Sequence, residues 1–68
     1  MKVILNGVER ELAEGTTVAD LVSVEDLPAA GRGVAVAVDA EVVPRGAWED
    51  TELNDGQSVE LLAAIQGG

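Results

Sequence analysis

The last residues of the chain carry the group with the clearest chemical potential. Gln66, Gly67 and Gly68 follow Ile65, which closes a run of alternating apolar residues. Glycine has no Cβ and opens nearly all of backbone space, so residues 65–68 are predicted to form a flexible tail. From residue 64 such a tail reaches roughly 17 Å. Its α-carboxylate is ionised at neutral pH and unreactive until it is activated, for example as an acyl-adenylate.

Two interpretations of this end are open. The tail could thread its carboxylate into a narrow tunnel of another protein, where bulky side chains at Gly67 or Gly68 would block the passage. Alternatively, the two glycines are a frayed terminus, because many domains end in small residues. The choice between them depends on the fold that carries the tail.

The rest of the chain offers few groups for catalysis. Its 68 residues contain no cysteine and no histidine, and one Lys and three Arg are its only basic side chains. The commonest general base, the commonest transition-metal ligand and any thiolate site are therefore missing. Residues 49–52 (EDTE) lack the ligand spacing of a calcium loop. These residues make an autonomous enzyme the least favoured function and disfavour a metal site.

The net charge of −9 and the pI near 4.1 narrow the range of partners. Such a chain repels nucleic-acid backbones and anionic membrane surfaces, and its charge favours a monomer. No apolar run approaches the roughly 18 residues of a membrane span, so we expect a cytoplasmic protein. From Asp39 to Glu60 there are seven acids against one base. This run is either a solvated face or a docking surface for a basic partner.

The first third of the chain predicts a β-hairpin followed by a short helix. Residues 1–12 alternate around Asn6-Gly7, the dipeptide typical of a type I′ turn. Thr17 and Asp20 have the spacing of a capping box, and an apolar stripe follows them. Pro28 ends the helix no later than about Leu27. Because so short a helix cannot hold itself in water, it is expected to pack on a sheet.

The remainder predicts three more strands. Residues 34–38 (VAVAV) are apolar on both faces, which is typical of a buried central strand. Residues 41–43 are a brief strand that Pro44 stops or places on an edge. The last strand alternates from Val59 to Ile65. The order indicates an α+β fold of the ubiquitin-like β-grasp type, with one helix packed across a mixed sheet of four to five strands. The predicted domain spans residues 1–64 and the tail 65–68.

Three further side chains are candidates for contacts with a partner: Arg45, Trp48 and Leu62. Arg45 could pair with an acidic spot on a partner, although such an arginine more often ties down a local loop. Trp48 is the only aromatic residue. It could be a binding hot spot, but a packing role between loop and sheet is favoured for the one aromatic of a small core.

The segments described so far resemble one family in order and in length. A Gly-Gly end alone is weak evidence for a functional tail, and it is much stronger evidence when it follows a β-grasp domain. The matching stretches are residues 2–7 (KVILNG), 15–18 (GTTV) with Leu21, 34–39 (VAVAVD), 43–45 (VPR) with Trp48, 53–56 (LNDG), 59–62 (VELL), and Ile65 with Gly67 and Gly68. Together they resemble the ThiS family, the small sulfur-carrier proteins of thiamine biosynthesis.

The resemblance implies a function located at the chain end. An ATP-dependent, E1-like adenylyltransferase (ThiF-like) would adenylate the Gly68 carboxylate and recognise the tail through Gly67, Gln66 and Ile65. Sulfur from a cysteine-derived persulfide would then convert the adenylate into a thiocarboxylate. A thiazole synthase (ThiG-like) would take that sulfur. ATP would be used by the partner, with no cofactor bound to this chain.

Two departures from the family pattern keep other acceptors open. Gln66 stands where small or apolar residues are usual, and residues 61–63 lack the aromatic that is frequent near the last strand. Carriers of the same fold deliver sulfur to natural products, molybdopterin, transfer RNA or cysteine. A ubiquitin-like protein modifier and a non-covalent interaction module are the remaining alternatives.

Overall fold

A computed structural model describes residues 1–24 and 33–63 of the chain. It opens with the predicted hairpin, formed by strands β1 (Lys2–Leu5) and β2 (Val8–Glu11). The two strands are antiparallel, with Leu5 opposite Val8. Between them Asn6 and Gly7 have φ angles of 49° and 84°, the left-handed values that a type I′ turn needs. The hairpin prediction is confirmed.

The helix α1 (Val18–Val24) begins at the predicted capping box. The Asp20 N–H donates to Thr17 Oγ1, and the Thr17 N–H donates to Asp20 Oδ2, both at 3.1 Å. This reciprocal pair satisfies backbone donors that would otherwise lack a partner at the helix start. Val18 and Leu21 are fully buried, so the apolar stripe faces the core. The predicted helix end at Leu27 and Pro28 lies outside the described residues.

Three more strands complete the sheet. They are β3 (Val34–Val38), β4 (Glu41–Val42) and β5 (Ser58–Ala63), and a 3₁₀ helix (Arg45–Asp50) lies between the last two. The strand order is β2-β1-β5-β3-β4, with β1 and β5 parallel and the other neighbours antiparallel. A mixed five-stranded sheet with one helix across it is the ubiquitin-like β-grasp architecture, so the fold prediction is confirmed.

The placement of β3 differs from the expectation. The central strand of the sheet is β5, and β3 lies between β5 and the short edge strand β4. Only one face of β3 is covered, because Val36 and Val38 are buried whereas Ala35 is exposed. The helix lies over one side of the sheet, so the valines point into the core and the alanines point outward.

The core lies between the sheet and α1. It is built from aliphatic side chains and one indole: Val3, Leu5, Val18, Leu21, Val36, Val38, Trp48, Leu53, Val59 and Leu61. Among residues 1–24 and 33–62, no polar or charged side chain is buried. The core therefore contains no desolvated charge that would need a partner.

The 3₁₀ helix was not predicted. It places Trp48 in the core, where the indole Nε1–H donates to the Val43 carbonyl at 3.0 Å. The predicted boundary between the 1–64 domain and the tail falls at the limit of the described residues and stays a prediction. In the described part of the chain, no helix has the length and apolar character needed to cross a membrane.

Candidate functional site

The four tail residues singled out by the sequence, Ile65 to Gly68, lie outside the described residues. The strand that leads to them is described through Ala63. This strand, β5, occupies the centre of the sheet, between β1 and β3. The tail therefore follows, in sequence, the middle strand of the sheet.

Hydrogen bonds hold β5 along both of its edges. On the β1 side, the backbone N–H groups of Ile4 and Asn6 donate to the carbonyls of Gln57 and Val59, each at 2.9 Å. On the other side, β5 pairs with β3 over five residues, from Val38 opposite Val59 to Val34 opposite Ala63. The last described strand before the tail is thus paired along both of its edges.

The outward side of this strand belongs to an exposed apolar surface. Leu62 is 65% exposed and lies opposite Ala35, while Val42 is 72% exposed and lies opposite Ala37. We call Ala35, Ala37, Val42 and Leu62 the outer-face patch. It lines a shallow depression on the side of the sheet away from α1. A contiguous exposed apolar surface on the strand that precedes the tail in sequence is a candidate protein-binding site.

The charge at this patch is negative. Glu60 lies within the depression, opposite Ala37 and two residues before Leu62 on β5. An apolar surface that contains a carboxylate is complementary to an apolar surface that carries Lys or Arg. The patch therefore fits a basic protein partner, which is the docking interpretation of the acidic run.

Two acids of that run have local structural roles instead. Asp39 Oδ1 accepts the Ser58 N–H at 3.0 Å, and its Oδ2 accepts the Gln57 side-chain amide at 3.2 Å. Asp55 Oδ1 accepts the Lys2 N–H at 2.7 Å. No cluster of three or more carboxylates capable of holding a metal ion occurs within 1–24 and 33–63. Some acids of the run thus form structural hydrogen bonds, and others contribute surface charge.

Arg45 and Trp48 contact each other within the 3₁₀ helix. The guanidinium carbon of Arg45 is 5.7 Å from the centroid of the Trp48 ring, a cation–π distance. Trp48 itself is only 6% exposed. The burial of Trp48 favours its packing role, and the cation–π contact gives the exposed Arg45 a local partner. The exposure of Leu62 keeps it available for binding.

Two features of this region were missed at the sequence level. The alanines of β3 were assigned to a buried face, although their alternation with valine could have indicated a one-sided strand. Asn6 was assigned only to the turn. Its carboxamide also reaches β5, where the Leu61 N–H donates to Asn6 Oδ1 at 2.9 Å. No local signal in the sequence indicates that contact, because 55 positions separate the two residues.

Comparison with known proteins agrees with this architecture. The model of the ThiS family matches residues 3–68. The chain is 32% identical over its whole length to the sulfur carrier protein ThiS of Escherichia coli (strain K12), of which it also covers 100%. It is 37% identical to a thiazole synthase of Paramagnetospirillum magneticum, and there it spans 20% of the relative's length.

Solved structures give the same result. The crystal structure of the thiamine biosynthesis protein ThiS from Geobacter metallireducens superposes with a TM-score of 0.83 at 31% identity, covering 100% of both chains. A solution structure of a thiamine biosynthesis protein from the same organism gives 0.81 at 33% identity, covering 100% of this chain and 88% of that one. On sequence and on structure, this chain belongs to the ThiS family.

Proposed function

We propose that this protein is a cytoplasmic sulfur carrier for thiamine biosynthesis that acts as a cosubstrate through its Gly68 carboxylate. The observation that carries the proposal is the family match, which runs through both terminal glycines to residue 68. The whole-length similarity to a sulfur carrier protein supports the same function. The lack of His and Cys fits a protein whose chemistry resides at a main-chain carboxylate.

The first step is adenylation by an E1-like, ThiF-like partner. A Gly68 carboxylate oxygen attacks the α-phosphorus of ATP, a P–O bond to the pyrophosphate breaks, and pyrophosphate leaves. The product is an acyl-adenylate, in which AMP is a good leaving group. The partner supplies the electrostatic stabilisation of the transition state. This chain supplies the acyl group and the surface by which it is held.

The second step exchanges oxygen for sulfur. The terminal sulfur of a cysteine persulfide on a partner attacks the Gly68 carbonyl carbon and displaces AMP, which forms an acyl disulfide. A second thiolate of the partner then attacks the partner-side sulfur of that disulfide. The electron pair of the broken S–S bond stays on the acyl sulfur, so the chain leaves as a thiocarboxylate and the partner keeps a disulfide.

The sulfur acceptor in this proposal is a ThiG-like thiazole synthase. Support comes from the relative named thiazole synthase, which contains a segment similar to the whole of this chain. The outer-face patch would then dock the chain on its partners while the tail enters their active sites. Leu62 and Glu60, on the strand that leads to Gly68, are the residues we expect at this interface.

An ATP–pyrophosphate exchange assay with the activating enzyme tests the first step. The full chain should support exchange, and a variant lacking Gly68 should not. Gly67→Val should lower kcat/KM by at least about tenfold, because a β-branched side chain blocks a narrow passage and stiffens the backbone. Exchange supported equally by the variant without Gly68 would contradict the proposal.

Gly46→Ala is the matched glycine control. Gly46 lies in the 3₁₀ helix with open space around the position of an added Cβ and no left-handed φ. Its substitution should leave exchange at the level of the full chain. A comparable loss in this variant would show that the assay responds to any glycine change rather than to the tail.

A further inference from the structure

Asn6 makes contacts that its place in the turn does not require. A type I′ turn needs a residue that tolerates positive φ, and glycine would serve as well as asparagine. Here, however, the Asn6 side chain also forms two hydrogen bonds across the sheet. The Leu61 N–H donates to Asn6 Oδ1 at 2.9 Å, and Asn6 Nδ2 donates to the Leu61 carbonyl at 3.2 Å.

These two bonds continue the β1–β5 ladder beyond the end of β1. The backbone rungs use the carbonyls of Gln57, the residue just before β5, and of Val59 within it, alternate residues that face β1. Leu61 is the next residue in that series, but the chain turns back at residues 6–7 and offers it no further β1 backbone. The carboxamide of Asn6, which has one donor and one acceptor side like a peptide unit, takes that place.

Leu61 is also the last residue of β5 for which a β1-side partner is described. Gly68 follows it by seven positions, a reach of about 25 Å. A strand end released on one side can splay away from β1. Such splaying would change both the point and the direction from which the tail leaves the domain.

We propose that Asn6 is a positioning residue for the C-terminal segment: its carboxamide holds Leu61 in the sheet and thereby fixes where the tail begins relative to the docking face. The inference rests on the proposed function, because it assigns to this contact a role in presenting Gly68. It adds a specific residue, distant from the tail in sequence, to the groups that act on that end.

The test compares two turn variants of the full chain. Asn6→Gly keeps the positive φ and removes both side-chain bonds. Gly7→Ala is the matched control. It strains the turn because the φ angle of residue 7 is 84°, and it keeps both Asn6 bonds because no atom lies within 4 Å of the added Cβ. Both variants are assayed at a temperature at which each is fully folded.

The first readout is native-state hydrogen exchange and does not depend on the proposed function. In Asn6→Gly the Leu61 amide should exchange about tenfold faster relative to the most protected amides, as expected for the loss of a typical net hydrogen bond. In Gly7→Ala the ratio should stay unchanged. Asn6→Asp, which keeps the acceptor and loses the donor, should be intermediate. An unchanged Leu61 ratio in Asn6→Gly would overturn the proposal.

The second readout is the adenylation rate with the activating enzyme. Asn6→Gly should lower kcat several-fold with KM nearly unchanged, because docking is intact and fewer bound chains present Gly68 productively. Gly7→Ala should leave both parameters unchanged. Faster Leu61 exchange with an unchanged kcat would reduce Asn6 to a purely structural residue and overturn the positioning role. Failure of the unmodified chain to react would instead contradict the proposed function, and the positioning role with it.

Discussion

At the residue scale, Leu62 and Val8 are similarly exposed side chains in different places. Leu62 is 65% exposed in the outer-face patch, and Val8 is 61% exposed on the hairpin edge. Val8 lies opposite the buried Leu5, so it points toward the core side of the sheet and not toward the patch. The same substitution at these two positions therefore separates the effect of location from the effects of exposure and charge.

Leu62→Glu should therefore weaken partner binding, and Val8→Glu should not. Both variants add one negative charge to an acidic chain, and both should change the free energy of unfolding by less than about 0.5 kcal/mol. We expect KM for the carrier in the adenylation assay to rise at least about fivefold in Leu62→Glu, the loss typical of one significant interface residue. Equal KM values in the two variants would show that the patch is not the docking surface.

The candidate site was predictable from the sequence only in part at this scale. The exposure of Leu62 follows from its alternation with the buried Val59 and Leu61. The patch around it does not, because its members come from three strands and meet only through the pairing of Ala35 with Leu62 and of Ala37 with Val42. Such register information is not local.

At the element scale, an electrostatic contact links the two ends of the N-terminal hairpin. The Met1 ammonium donates to the Leu12 carbonyl at 2.9 Å and to Glu11 Oε2 at 3.2 Å, and Glu14 Oε2 lies 3.7 Å away. The hydrogen bond to Glu11, then the negative charges of Glu11, Glu14 and Asp55, raise the pKa of this ammonium above its ordinary value of 8.0. The contact ties the start of β1 to the end of β2.

A raised pKa in the folded state sets the sign of the pH dependence. The ammonium stabilises the fold fully below its unfolded pKa, near 8, and this contribution is lost as the pH rises through the higher folded pKa. The urea concentration at the unfolding midpoint should therefore decrease as the pH is raised from about 7 to about 9.5. Glu11→Gln should lower the midpoint at pH 7 and flatten its pH dependence. An equally steep decline in Glu11→Gln would rule out this contact as the cause.

The elements themselves were predictable where a local signal defines them. Asn6-Gly7 specifies the hairpin turn, Thr17 with Asp20 specifies the helix start, and Pro44 limits the edge strand, which ends at Val42, one residue earlier than predicted. The 3₁₀ helix has no periodicity that distinguishes it from a loop, and it forms where Trp48 enters the core. The central position of β5 could not be inferred either, because it arises from a parallel pairing with β1 across more than 50 residues of chain.

At the scale of the whole molecule, the net charge of −9 governs association. An acidic carrier and a basic docking site attract each other before contact, which raises the association rate at low salt. Because the Debye length is about 10 Å at 0.1 M salt and about 3 Å at 1 M, this attraction is screened as salt is added. The carrier's kcat/KM should fall several-fold between these salt concentrations.

Two charge-neutralising variants locate this effect. Glu60→Gln removes the carboxylate that lies in the depression lined by the outer-face patch. Glu49→Gln removes one from the 3₁₀ helix, which contacts α1. The first should reduce the salt dependence of kcat/KM more than the second. Equal effects would indicate that only the total charge matters and that the outer face has no special part in docking.

The claim on which the whole molecule's function depends is that sulfur is carried on the Gly68 carbonyl. Intact-mass spectrometry tests it after incubation with the activating enzyme, ATP and a persulfide sulfur source. We predict a mass increase equal to the replacement of one oxygen by one sulfur, located by fragmentation at Gly68 and absent from a variant lacking that residue. An unchanged mass in the full chain, or the same increase in the variant without Gly68, would contradict the claim.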